Sequence, residues 1–81
     1  MNNLLKFTAH ASTMMHERMI QEDWIVRTVT SPDNTEERSD EEIHYLKKIP
    51  EAGGKILRVI INPQADPHRV ITVFFDRRAQ P

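Results

Sequence analysis

Lys55-Ile56-Leu57-Arg58-Val59-Ile60-Ile61-Asn62 is the most apolar run of the chain. Read with a period of two, Leu57, Val59 and Ile61 share one face, and Ile56, Arg58 and Ile60 share the other. Apolar side chains on both faces suit a strand in the middle of a sheet. Pro50-Glu51-Ala52-Gly53-Gly54 precedes the run and reads as a hairpin loop, its glycines permitting positive φ. Before that loop, Glu42 to Ile49 alternates, with Ile43, Tyr45 and Ile49 against His44, Leu46 and Lys48. After the run, Pro63 to His68 reads as a second loop. Arg69 to Asp76 is then the last strand, with Ile71, Val73 and Phe75 against Val70, Thr72 and Phe74. Short loops make these three strands an antiparallel meander.

Upstream, the period changes. Phe7-Thr8 reads as the start of a helix, with Thr8 as N-cap. Ala11, Met14, Met15 and Met19 fall on one stripe, and the helix is expected to end near Met19 or Ile20. A second helix is predicted from Glu22 to Thr30, with Ile25, Val26 and Val29 on its buried side and Trp24 opposite. Glu22 and Asp23 sit in its first turn, where carboxylates favour the helix dipole. Ser31-Pro32-Asp33-Asn34 stops it. The polar, acidic segment from Thr35 to Glu42 reads as an exposed connector, with room for a short edge strand at its start. The expected fold is α+β in one domain. Two N-terminal helices, about residues 8–30, pack on one face of a three- to four-stranded antiparallel sheet, about residues 42–76, after an acidic connector at 31–41.

Eighty-one residues make one domain and leave little buried surface. A hydrophobic share of 38% against 28% charged residues fits a globular domain rather than a disordered tail. Cysteine is absent, so no disulfide or thiolate zinc site reinforces the core. The default setting is cytoplasmic, and reinforcement could come from a partner chain or from self-association. No run approaches the ~18 apolar residues of a membrane span, and Met1 to Phe7 is too short an apolar segment for a signal peptide. The net charge of −1 is uneven: residues 1–42 carry four basic and nine acidic side chains, residues 43–81 seven basic and three acidic. A basic sheet half can attract phosphate, though Lys and Arg are also common on strand faces that meet water.

Several motifs are excluded. His16-Glu17 begins like H-E-x-x-H, but Ile20 stands at the closing position. The only two glycines, Gly53 and Gly54, lie in a hairpin and form no phosphate loop. There is no nucleophile elbow. His10 and His16 are six residues apart, not the three or four that align helical ligands. No metal or cofactor is expected.

Four residues are candidates for chemistry. Arg18 lies in the apolar stripe of the first helix, where a guanidinium needs a carboxylate partner or must snorkel outward. His10 flanks the same stripe about 12 Å away along the axis; its imidazole can act as acid or base, or can simply occupy the surface. Arg58 and Thr72 are polar residues inside apolar strands, and on adjacent strands they can hold an anion together. Threonine also has high strand propensity in its own right. Tyr45 and Lys47 extend that patch, and Arg69 and Arg77 complete the expected substrate-binding set.

These residues carry a resemblance. Phe7-Thr8-Ala9-His10-Ala11, Met15-His16-Glu17-Arg18-Met19-Ile20 and Glu22-Asp23-Trp24-Ile25-Val26 are followed by Ser31-Pro32-Asp33, Ile43 to Lys48, Lys55 to Val59 and Val70 to Val73. In that order they resemble a family of small bacterial domains of unknown function, marked by an N-terminal H-A, an E-R at the helix end and a final strand containing threonine. That family is often grouped with RelE/ParE-like toxins and the barnase–EndoU–colicin–RelE class of ribonuclease folds. The resemblance spans Phe7 to about Asp76. It implies a toxin-type, metal-independent endoribonuclease or a derivative of one, with RNA as substrate and an antitoxin-like protein as partner. It implies acid/base work for His10, phosphate contacts for Arg58 and Arg18, and orientation by Thr72. The chain departs from the pattern at Met19, where the family commonly has glycine, and in its slightly acidic charge. A non-catalytic binding module and a homodimeric domain are the alternatives.

Overall fold

The computed structural model describes residues 5–79. Strand β1 (Leu5–Phe7) leads into helices α1 (Ala9–Glu17) and α2 (Glu22–Thr30). Strands β2 (Asn34–Ser39), β3 (Glu42–Ile49), β4 (Lys55–Asn62) and β5 (His68–Phe75) follow, with a single 3-10 turn at Pro50–Ala52 between β3 and β4. They form one five-stranded sheet in the order β1-β5-β4-β3-β2, which puts β4 at its centre. The run that reads as a central strand is therefore central. The meander β3-β4-β5 is antiparallel throughout.

Three parts of the sheet differ from expectation. A bulge between Ile60 and Ile61 puts Val70 on the helix-covered face with Val73 instead of beside Thr72 and Phe74. The sheet has five strands and is mixed, because β1 adds parallel to β5. Three residues are too few to show alternation, yet Leu5 and Phe7 pack against the core. The acidic connector is largely the edge strand β2, antiparallel to β3 with a bulge between Glu37 and Ser39. Its charged, exposed side chains are what an edge needs to discourage pairing with another chain.

Thr8 caps α1 as expected: its hydroxyl accepts from the Ala11 amide at 3.0 Å and donates to the Ile71 carbonyl at 3.0 Å. One side chain thus closes the helix and ties it to β5. Ala11 is buried and Met14 and Met15 pack against the core, but the stripe stops there. Arg18 is the C-cap, and Met19 follows with φ of 55° and 82% exposure. Met19 takes the left-handed conformation that usually selects glycine after a helix. Arg18 therefore lies at the exposed end of α1, not in a buried stripe.

Helix α2 is rotated from the expected orientation. Its buried line is Trp24, Ile25 and Thr28, while Val26 is only half-buried. Trp24 faces the core, 6.4 Å from the Phe75 ring at a tilt of 56°. Thr28 is tolerated there because its hydroxyl donates to the Trp24 carbonyl at 2.8 Å. The helices cover one sheet face, on which Ile49, Leu57, Val59, Ile61, Val70 and Val73 are fully buried. Among the described residues no helix is long and apolar enough to cross a membrane.

Candidate functional site on the open sheet face

Strand register defines the face that no helix covers. One row across it reads Glu36, His44, Ile60 and Thr72; the next reads Asn34, Leu46, Arg58 and Phe74. Arg58 thus stands near the middle of the sheet, and its side chain is only 11% exposed. A guanidinium in that position needs partners. Its Nε donates to Asp76 Oδ2 at 2.7 Å, and Nη1 reaches Glu36 Oε1 at 3.2 Å and His44 Nδ1 at 2.7 Å.

That last contact fixes the histidine. A guanidinium only donates, so Nδ1 of the buried His44 carries the lone pair. Nε2 then holds the proton and donates to Glu42 Oε2 at 2.6 Å. His44 is a neutral imidazole in one tautomer, oriented by a carboxylate behind it and a guanidinium in front. Arg38 donates to the same Glu36 oxygen at 2.6 Å.

The charges respond to these contacts. Hydrogen bonds from Arg38 and then Arg58 hold the Glu36 carboxyl below its usual range. The Arg78 amide lowers Asp76 first, with Arg58 adding to it against partial burial. Burial pulls the Arg58 guanidinium down, but the bonds to Asp76 and Glu36 outweigh it and leave it raised. The Glu36 and Asp76 carboxyls and the Arg58 guanidinium are all held toward their charged forms.

Beside the array lies a groove of about 970 Å³, floored by Leu46, Ile56 and Phe74. Its lining holds six cations, Arg38, Lys47, Lys48, Arg58, Arg77 and Arg78, against the carboxylates of Asp33, Glu36 and Asp76, a net of +3. The whole chain is −1. The Asp76 carboxylate accepts from the Arg78 and Ala79 amides at 2.9 and 3.3 Å, which shapes the turn that sets Arg77 and Arg78 on the rim.

The sheet separates the residues singled out by sequence. Arg58 and Thr72 share the open face in neighbouring rows; Arg58 and Arg77 line the groove, and Thr72 lies outside its lining. His10 and Arg18 are exposed on α1, in the layer across the sheet, so the four expected catalytic residues do not converge. Tyr45 pairs with Val59 and packs against the core on the helix side. Lys47 borders the groove, but its ammonium donates to the Ser31 carbonyl at 2.8 Å and pairs with Asp33 at 3.4 Å, securing the end of α2. Arg69 is exposed at the start of β5, opposite Asn62. Sequence reasoning missed His44, Glu36, Glu42, Asp76 and Phe74. Alternation did place His44 beside Leu46 and Lys48. Only the register of β2, β3 and β4 brings it to Arg58. Among the described residues no three His, Cys, Asp or Glu side chains group as metal ligands.

Residues 7–75 match the model of DUF4258, a domain of unknown function. The chain belongs to the DUF4258 family. Comparison with curated proteins and with solved structures gives no match. The match establishes the family and not the wider toxin or ribonuclease class. For this DUF4258 domain the array and groove on the open face are the candidate site, and α1 lies outside it.

Proposed function

We propose that this DUF4258 domain binds RNA on its open sheet face and cleaves it without a metal ion, in the manner implied by its resemblance to RelE/ParE-like toxins. The observation that carries the reading is an imidazole and a guanidinium in contact at 2.7 Å beside a groove of net charge +3. A basic groove in an acidic chain concentrates a polyanion locally.

In this reading His44 takes the acid/base role first assigned to His10, which lies across the sheet. An RNA phosphate draws Arg58 Nη1 away from His44, leaving the Nδ1 lone pair free. Nδ1 takes the ribose 2′-hydroxyl proton while the 2′-oxygen attacks phosphorus. The phosphorus–5′-oxygen bond breaks, giving a 2′,3′-cyclic phosphate, and water supplies the proton to the leaving 5′-oxygen. Arg58 and Arg78 stabilise the phosphorane charge, Glu42 holds the imidazole, and Thr72 orients the substrate. The test is incubation with RNA in a chelator. Cleavage is expected, with loss in His44→Ala and on an RNA with 2′-deoxyribose at the cut site. Clean protein that neither binds nor cuts RNA at low salt removes the proposal.

A second reading is a non-catalytic module for an antitoxin-like partner or a second copy of the chain. It is favoured by the pairing of Arg58 with two carboxylates, which already satisfies its charge. It predicts partner binding without cleavage, or a mass in solution that rises with concentration.

A further inference from the structure

The groove contains an aromatic ring that the fold does not use. Phe74 and Phe75 are neighbours in β5 with opposite fates. Phe75 packs against Trp24 at 6.4 Å and lies under the Lys55 ammonium, 5.4 Å from the ring centroid. Phe74 faces the other way and is half-buried across from Arg58. Among the described residues no second ring or cation pairs with it. Its floor-mates Leu46 and Ile56 are buried at 5% and 8% exposure, so Phe74 is the most accessible part of the apolar floor.

Around that floor stand four exposed cations: Arg38, Lys48, Arg77 and Arg78. Arg38 is paired with Glu36, as Lys47 and Arg58 are paired with their own carboxylates, but Lys48, Arg77 and Arg78 form no ion pair among the described residues. A flat apolar ring ringed by free cations is the combination that holds an unpaired nucleotide: the base stacks and the backbone is neutralised. A duplex keeps its base faces inside its own stack and offers that ring nothing.

We infer that Phe74 is the platform for one unpaired nucleobase, with Lys48 and Arg78 on the flanking phosphates, so that the groove takes single-stranded RNA in preference to duplex. The inference rests on the RNA-binding part of the proposal above and not on cleavage.

Fluorescence anisotropy of the whole chain at low salt tests it, with four probes: a single-stranded RNA, the same sequence as a duplex, an acidic peptide and inorganic polyphosphate. The single strand is expected to bind at least tenfold more tightly than the duplex. Phe74→Leu is expected to weaken the single strand about tenfold and leave polyphosphate binding unchanged. Phe74→Tyr keeps the ring and restores the preference. Lys48→Ala with Arg78→Ala weakens single strand and polyphosphate alike. Equal affinity for single strand and duplex overturns the inference while RNA binding itself stands. So does a Phe74→Leu chain that loses polyphosphate to the same extent. Binding of the acidic peptide with no binding of either RNA overturns the RNA reading as well.

Discussion

On β4, Leu57, Val59 and Ile61 point beneath the helices and are fully buried, whereas Ile56, Arg58 and Ile60 point to the face that no helix covers. The first face is held by burial of apolar area, which is non-directional and tolerates any well-packed shape. The second is held at its centre by Arg58, whose bonds to Asp76, Glu36 and His44 each require one geometry. A small domain has little to spare for desolvating a guanidinium. That arrangement, and the cations around it, are why function is assigned to the open face.

Side-chain truncation should separate the two faces. Leu57→Ala is expected to cost about 3 kcal/mol, since it leaves a cavity in the sealed core. Ile60→Ala, three residues along on the half-buried face, should cost about 1 kcal/mol. Urea denaturation compares them, and equal losses would erase the distinction. Arg58→Ala comes next, at about 2 kcal/mol once discounted for the partial exposure of its partners. Adding Asp76→Asn should cost less than the sum of the two single changes, because the carboxylate no longer lacks its cation. Full additivity would mean that the pair is not coupled.

Acid should loosen the open face. Asp76 and Glu36 are held below their ordinary range, so they bind protons less readily folded than unfolded. Their contribution is complete above about pH 5 and is lost as the pH falls through about 4 toward the depressed folded values. The urea midpoint should therefore drop between pH 7 and pH 3, and Glu36→Gln with Asp76→Asn should shrink that drop. An unchanged drop would place the acid sensitivity elsewhere.

A gain, no larger than the Ile60→Ala loss, is expected in the helix layer. Met19 is exposed and sits at φ of 55°, so Met19→Gly removes strain without losing burial. It should raise stability by about 1 kcal/mol. A thermal melt that shows no gain would contradict the strain.

What could be seen in the sequence follows the same division. The centre of the sheet, the hairpin glycines and the Thr8 cap were legible because each is a local pattern. The α2 face was misjudged because Thr28 counts as polar until its hydroxyl is seen bonding back to Trp24. Strands β1 and β2 were obscure because one is three residues long and the other is acidic and exposed. At the site, Arg58 announced itself as a charge within an apolar run. Its partners did not, since Glu36, His44 and Asp76 come from three other parts of the chain and meet it only through register and the end of β5. The resemblance drew attention to His10 and Arg18, which the sheet places apart from Arg58. It also marked Met19 as a glycine position, which its left-handed backbone explains.

Backbone amide chemical-shift mapping with a single-stranded RNA tests most directly whether function resides on the open face. The account predicts shifts clustered at His44, Leu46, Lys48, Arg58, Phe74 and the Asp76–Ala79 turn, with His10 and Arg18 unmoved. Shifts centred on α1, or none at all at saturating RNA, would contradict it.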